Sequence, residues 1–349
     1  MKSNFFIHAV NVHQGGGQVL LSAIIRALPN NIPVTLIVDE RMPLPDNITP
    51  NIFIKQVYPS YFRRYLVERW LKGKVKAGDV VLCFGNLPPL YKLNGRVILF
   101  LQNRHLVDDA VSFRWMKNQV KVRIWLERIW FFKRFTNVDE VLVQTPSMKK
   151  LLHKRMTIDR PINVRPFFGN KIYISRSILL KNIKINSEFD FLYVASGEPH
   201  KNHRKLINAW TILAKDGIYP SLKLTIDKAL FPELSDWINQ VKNVNQLNID
   251  NIGSTSADGV GALYQKASAL IFPSTCESLG LPLIEARQAG LSILASELDY
   301  VRDILDPEQT FDARSSRSIA RAVKRFLKVG EPELTLSDAK TFLNKIICK

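Results

Sequence analysis

The sequence predicts an α/β protein built from two successive doubly wound domains, each a mainly parallel sheet covered by helices. Two observations predict it. Short apolar runs alternate with amphipathic stretches along the chain, the pattern of βαβ units. The 349 residues also exceed what one hydrophobic core ordinarily fills. Hydrophobic residues at 46% and charged residues at 23% give the profile of a soluble globular protein.

In the first half, strands are predicted over residues 5–10, 34–38, 80–84, 97–101 and 141–143. Helices are predicted over 18–28, 61–71, 113–135 and 146–154. The pattern weakens between Phe167 and Ser187, where the domain boundary is placed. It resumes with strands over 189–195, 223–226, 247–249, 269–272 and 292–295. Helices over 203–214, 234–241, 261–266, 282–289 and 316–327 complete it. The domains are expected over 1–175 and 176–349, with a last helix able to pack back on the first domain. Ligands of such sheets bind beyond the carboxyl ends of the strands, so two facing domains place the site in the cleft.

Several classes are set aside by composition. No apolar run reaches the roughly 18 residues of a membrane span. The N-terminus makes a poor signal peptide, and a cytoplasmic protein is expected. Cys83, Cys276 and Cys348 form no C-x-x-C pair, so neither a disulfide framework nor a zinc cluster is expected. The net charge of +18 is unevenly placed: residues 1–180 hold 28 Lys and Arg against 11 Asp and Glu. Residues 181–349 hold 21 against 20. An anionic membrane, nucleic acid or phosphorylated substrates could answer such a surface. No nucleic-acid-binding motif accompanies the charge, so nucleic acid is not expected as a partner. Residues 114–135 mix basic residues with Trp and Phe, which suits the interface of an anionic bilayer, although Trp115, Trp125 and Trp130 do not share one helical face. A helix with an apolar core face and snorkelling cations would read the same way.

The strongest chemical signal runs from Phe272 to Glu285. A buried strand ends, a polar loop follows, Gly280 permits an unusual backbone angle, and Pro282 suits the first turn of a helix. Glu277 then lies in the loop and Glu285 about one turn inside the helix. The loop amides and helix N-terminus make an anion-binding end. Carboxylates accept hydrogen bonds from sugar hydroxyls, so two acids flanking a phosphate site suit a nucleotide-sugar. A second signal, Ser196 to Asn202, occupies the first strand-to-helix turn of the second domain. There Lys201 supplies a mobile cation and Asn202 can cap the following helix. A third is the glycine run Gly15, Gly16, Gly17 behind His13, where backbone can approach a ligand closely. A fourth is Gln102, Asn103 and His105 at the end of a strand.

The Glu277–Glu285 segment closely resembles the E-x7-E region of retaining glycosyltransferases of family 4, which belong to the glycosyl transferases group 1 and have the two-Rossmann-domain GT-B fold. The resemblance implies that Glu277 contacts the donor's sugar and Glu285 its ribose hydroxyls. Backbone N–H groups of Ser278, Leu279 and Gly280 would meet the diphosphate. Lys201 would bind the phosphates, and Gly15–Gly17 would lie near the diphosphate and the acceptor. His105 or Asn103 would face the transferred sugar or acceptor, with Gln102 beside them and His13 competing for that role. Ser196 stands where the family often carries an Arg; His200, His203 or Arg204 could replace that charge. The Asp-x-Asp with which GT-A transferases hold a divalent cation is absent, so no metal and no other cofactor is expected. The expected partners are an NDP-sugar donor, a saccharide or lipid-linked saccharide acceptor, and the anionic inner face of the plasma membrane. A nucleotide-sugar 2-epimerase or a non-catalytic protein on the same fold are the alternatives.

Overall fold

The first apolar run forms β1 (Phe5–Ala9), and the glycine turn behind it opens α1 (Gly15–Ala27). There follow β2 (Val34–Asp39), β3 (Ile52–Val57), α2 (Tyr61–Lys74), β4 (Val80–Cys83) and β5 (Arg96–Leu101). The first half is completed by α3 (Asn118–Arg134), β6 (Glu140–Val143), α4 (Pro146–Arg155) and β7 (Ile162–Val164). This computed structural model describes residues 3–45, 48, 50–108, 118–156, 160–167 and 187–330. The predicted boundary segment, the first residues of the helix expected at 113, Cys348 and any last helix lie outside the described residues.

The second half begins with β8 (Phe189–Tyr193), α5 (His203–Lys215), β9 (Leu222–Leu224), α6 (Pro232–Asn245) and β10 (Ile249–Asn251). It continues with α7 (Ala257–Lys266), β11 (Ala267–Phe272), α8 (Leu281–Gln288) and β12 (Ser292–Ser296). The last described elements are α9 (Asp299–Arg302), β13 (Gln309–Phe311) and α10 (Ser316–Phe326).

Two sheets result, with strand orders β3-β2-β1-β4-β5-β6-β7 and β10-β9-β8-β11-β12-β13. Every pairing is parallel. Each order reverses beside its first strand, β1 against β4 and β8 against β11, and the crevice at such a reversal is where doubly wound sheets bind ligands. The central strands are buried on both sides because helices cover both faces. On α5, Leu206, Ile207, Trp210 and Leu213 recur at helical spacing and are all buried. Trp210 packs edge-on to Phe191 at 5.5 Å and its indole N–H reaches the Pro220 carbonyl at 2.8 Å.

Sequence periodicity missed β3, β7, β13 and α9. The three strands are sheet edges, where one side can meet solvent and no continuous apolar run is needed; in β3 only Val57 is buried. The strand expected over 189–195 ends at Tyr193 because the chain turns there into the loop of the site.

Candidate active site

In the second domain the loop after β11 is stitched to the turn after β8. Thr275 N–H and the Ser274 hydroxyl both donate to the His200 carbonyl, at 2.8 and 3.2 Å. The Tyr300 hydroxyl donates to the Ser274 carbonyl at 2.9 Å. Gly280 has φ +67, a left-handed backbone that reverses the chain into α8, and Pro282 occupies the first turn of that helix.

Lys201 Nζ donates to Glu277 Oε1 at 2.6 Å, with side chains 17% and 14% exposed. The lysine is therefore pinned, not the mobile cation read from the sequence, because a carboxylate from a loop 76 residues away lies within reach. Its carbonyl accepts the Tyr193 hydroxyl at 2.6 Å. Asn202 does not cap α5. Its own backbone is left-handed (φ 63), which turns the side chain across the sheet end to donate to the Pro273 and Ala313 carbonyls at 3.1 and 2.7 Å. Asn202 thus ties together three segments around the lysine.

Glu285 accepts the Tyr264 hydroxyl at 3.0 Å. Burial pushes its carboxyl above the usual range, with that hydrogen bond opposing the shift. Ser196 donates to Glu198. Of the three candidates to replace the cation expected in its place, the two histidines are neutral at neutral pH and Arg204 keeps its charge. Burial, reinforced by Lys201, holds His200 and His203 down at about 3, and Arg204 lies over the Trp237 ring at 4.5 Å.

In the first domain Gly15 has φ +65, and a Cβ on Gly16 would lie 3.5 Å from Leu281 Cδ1 of the opposite domain. The glycine turn therefore meets the start of α8 across the cleft. Asn86, itself left-handed at φ 68, accepts the N–H groups of Gln102 and Asn103 at 2.6 and 2.8 Å. The Gln102 amide donates to the Phe84 carbonyl at 3.2 Å, and Asn103 accepts the His105 N–H at 3.1 Å. Both side chains thus shape the turn that presents His105, whose ring faces His200 edge-on at 5.8 Å. Burial, then the Arg128 charge, lowers the His105 pKa. His13 lies farther along the same rim, 3.8 Å from the Asp39 carboxylate.

Residues the sequence reading overlooked hold the two halves together. Arg104 forks onto Asp299 at 3.0 and 3.2 Å while its Nε donates to Asp108 at 2.7 Å. Asp303 accepts the Ser147 N–H at 2.9 Å. These pairs join positions 195 and 156 residues apart and carry no local signal.

Helix ends separate by location. Those of α2, α4, α7 and α10 carry a side-chain cap from Ser60, Thr145, Ser256 and Ser315. Those of α1, α5 and α8, which open onto the cleft, have neither a side-chain cap nor an acid in the first turn. Three helix N-termini thus keep their positive dipole ends without a side-chain cap or a first-turn acid, and those of α1 and α8 meet at Gly16 and Leu281. Among the described residues no cluster of His, Cys, Asp and Glu could hold a metal ion, and no helix is long and apolar enough to cross a membrane.

The fold is that of the GT-B glycosyltransferases. The chain superimposes on sucrose-phosphate synthase from Thermosynechococcus elongatus with a TM-score of 0.68 at 15% identity, over 94% of this chain and 90% of that one. A lipopolysaccharide outer core galactosyltransferase, WaaB, superimposes with a TM-score of 0.61 at 17% identity, over 100% and 99%. Residues 176–340, which include the Glu277–Glu285 segment, match the family described as glycosyl transferases group 1. The serotype-specific mannosyltransferase WbdA of Escherichia coli is 28% identical over 147 residues, 40% of this chain and 17% of WbdA. The match thus spans less than a fifth of that relative.

Proposed function

We propose that this chain is a metal-independent, retaining glycosyltransferase that moves a hexose from an NDP-sugar to an acceptor hydroxyl in bacterial surface polysaccharide assembly. The carrying observation is the meeting of the Gly15–Gly17 turn with the Glu277–Glu285 segment at Gly16 and Leu281, around a cleft walled by three uncapped helix ends. Lys201, those helix ends and the loop amides would stabilise charge growing on the departing diphosphate. Glu285 would accept the ribose hydroxyls and Glu277 the sugar hydroxyls. The acceptor oxygen bonds to the anomeric carbon on the face from which the diphosphate leaves. The bond to that diphosphate breaks, and the acceptor proton passes to a leaving phosphate oxygen. His105 lies beside Lys201 and Glu277 at the sugar end, with His13 on the acceptor rim. A screen of NDP-sugars against membrane extract tests the reading: one donor should release nucleoside diphosphate only when acceptor is present. Conversion of the donor sugar without extract would instead establish an epimerase, and no nucleotide binding would remove both.

The acceptor is proposed to reach the cleft from an anionic membrane surface. On α2, Phe62, Tyr65 and Leu66 are exposed, and on α3 so are Val122, Trp125 and Leu126. Arg64 lies 4.5 Å over the Trp130 ring and joins the two helices. Trp125 faces outward and Trp130 inward, so only one face of α3 is available to lipid. Arg63, Arg69, Lys72 and Arg123 flank the apolar residues, an arrangement suited to an anionic interface. Vesicle cosedimentation should show binding to anionic but not neutral lipid, reduced at least about tenfold in Phe62→Ser/Trp125→Ser, given roughly 1.5–3 kcal/mol per fully buried large apolar side chain. Equal binding by wild type and the double variant would remove the membrane from this proposal.

A further inference from the structure

Asp39, the last residue of β2, is 1% exposed. A buried carboxylate is costly unless it is paired. Its countercharge comes from two residues farther on: Arg41 donates through Nε at 2.8 Å, Nη2 at 2.7 Å and its backbone N–H at 3.0 Å. Burial pushes the Asp39 carboxyl up, but the Arg41 hydrogen bonds outweigh it and hold the group below the usual range. A turn at this point needs only the backbone bond. The guanidinium adds something else, because its side chain is 49% exposed. The Nε–Nη2 edge is locked to a buried acid while the rest of the guanidinium stays half exposed.

His13 completes the arrangement. Its Nδ1 lies 3.4 Å from Arg41 Nη2. Burial and the Arg41 charge lower the His13 pKa, which keeps the ring neutral. With Nδ1 accepting from Arg41, the proton sits on Nε2 and makes that nitrogen a donor. The Arg123 charge on α3 acts on the same ring. His13 stands two residues before the Gly15 turn, so the cluster flanks the donor site on the first-domain side. None of these groups is used by the donor-binding residues.

We propose that Arg41, aimed by Asp39 and assisted by the Nε2–H of His13, binds a phosphate or diphosphate group carried by the acceptor. This rests on the transferase reading, because it places a second anionic subsite beside a filled donor site. With Nε and Nη2 held by Asp39 and His13, the guanidinium keeps the two N–H groups of Nη1 for a phosphate and loses little side-chain freedom in binding it. A charged guanidinium binds an anionic phosphate more strongly than it binds a neutral sugar hydroxyl. The strongly cationic first half of the chain favours an anionic group arriving there.

The test uses the full chain with its donor site saturated by nucleoside diphosphate, and inorganic pyrophosphate as the probe in calorimetry. Wild type should bind pyrophosphate at one further site. Arg41→Ala leaves Asp39 buried without its partner and can lose stability, so Asp39→Asn/Arg41→Ala is measured beside it. Both should weaken pyrophosphate binding at least about tenfold, which is about 1.4 kcal/mol, and leave nucleoside diphosphate binding unchanged. A second arm presents a polyprenyl diphosphate in phosphatidylcholine vesicles. Arg41-dependent capture of the vesicles assigns the phosphate to a lipid-borne acceptor, and Arg41-dependent binding of the soluble probe alone assigns it to a soluble one. Pyrophosphate and vesicle binding indifferent to both variants overturns the subsite while nucleotide binding stands. Loss of nucleotide binding in wild type would instead overturn the transferase reading.

Discussion

Lys201→Ala should lower glycosyl transfer by about two to three orders of magnitude while leaving the protein folded. The expectation rests on charge. Three helix ends and a set of loop amides face the cleft, and Lys201 is the lysine that the turn after β8 places against Glu277. Loss of one preorganised group that stabilises transition-state charge costs roughly 2.7–4 kcal/mol. No imidazole nearby can compensate at neutral pH, because His200 and His203 are held at about 3. Ser196, where an arginine would have shared the load, pairs with Glu198. Pairing with Glu277 also implies that the donor phosphates compete for the lysine or share it. Single-turnover transfer with the cognate donor measures the loss, and a melting curve confirms the fold. A variant that transfers at the wild-type rate would show that Lys201 is not the phosphate cation.

Glu285→Ala should weaken nucleoside diphosphate binding by about 10- to 100-fold with little change in the chemical step. A charged acceptor is worth roughly 1.5–3 kcal/mol in such hydrogen bonds. Burial has raised the Glu285 carboxyl, and the Tyr264 hydroxyl donates to it at 3.0 Å. Donor hydroxyls on a ribose would favour the ionised form and lower that pKa, so affinity should fall as the pH drops through the raised pKa. Tyr264→Phe removes the protein's own hydroxyl and should change affinity far less. Calorimetry decides: equal Kd values for Glu285→Ala and wild type would exclude the ribose contact.

The backbone of the proposed donor segment was legible because its parts are local. Gly280, Pro282 and Glu285 follow one another within a turn of chain, and each is demanded there by a backbone angle, a helix start or a carboxylate position. The same holds for the glycine turn before α1. The edge strands β3, β7 and β13 were not legible, since an edge pays little penalty for polar residues and so leaves no apolar run. Asn202 could be read as a cap from its position, but its left-handed backbone was decided by carbonyls at positions 273 and 313.

By itself the sequence determined two doubly wound α/β sheets and the strand–loop–helix segment that carries Glu277 and Glu285. Those features depend on periodicity and on neighbours a few residues apart. Tertiary structure alone decided that Lys201 is pinned to Glu277, that the histidines of its turn are neutral, and that Arg104 reaches Asp299 across the cleft. It also decided that Arg41 is a half-open fork instead of a solvated charge. Charge state and reach depend on burial and on partners distant in sequence, and those exist only once the two sheets have brought their carboxyl ends together.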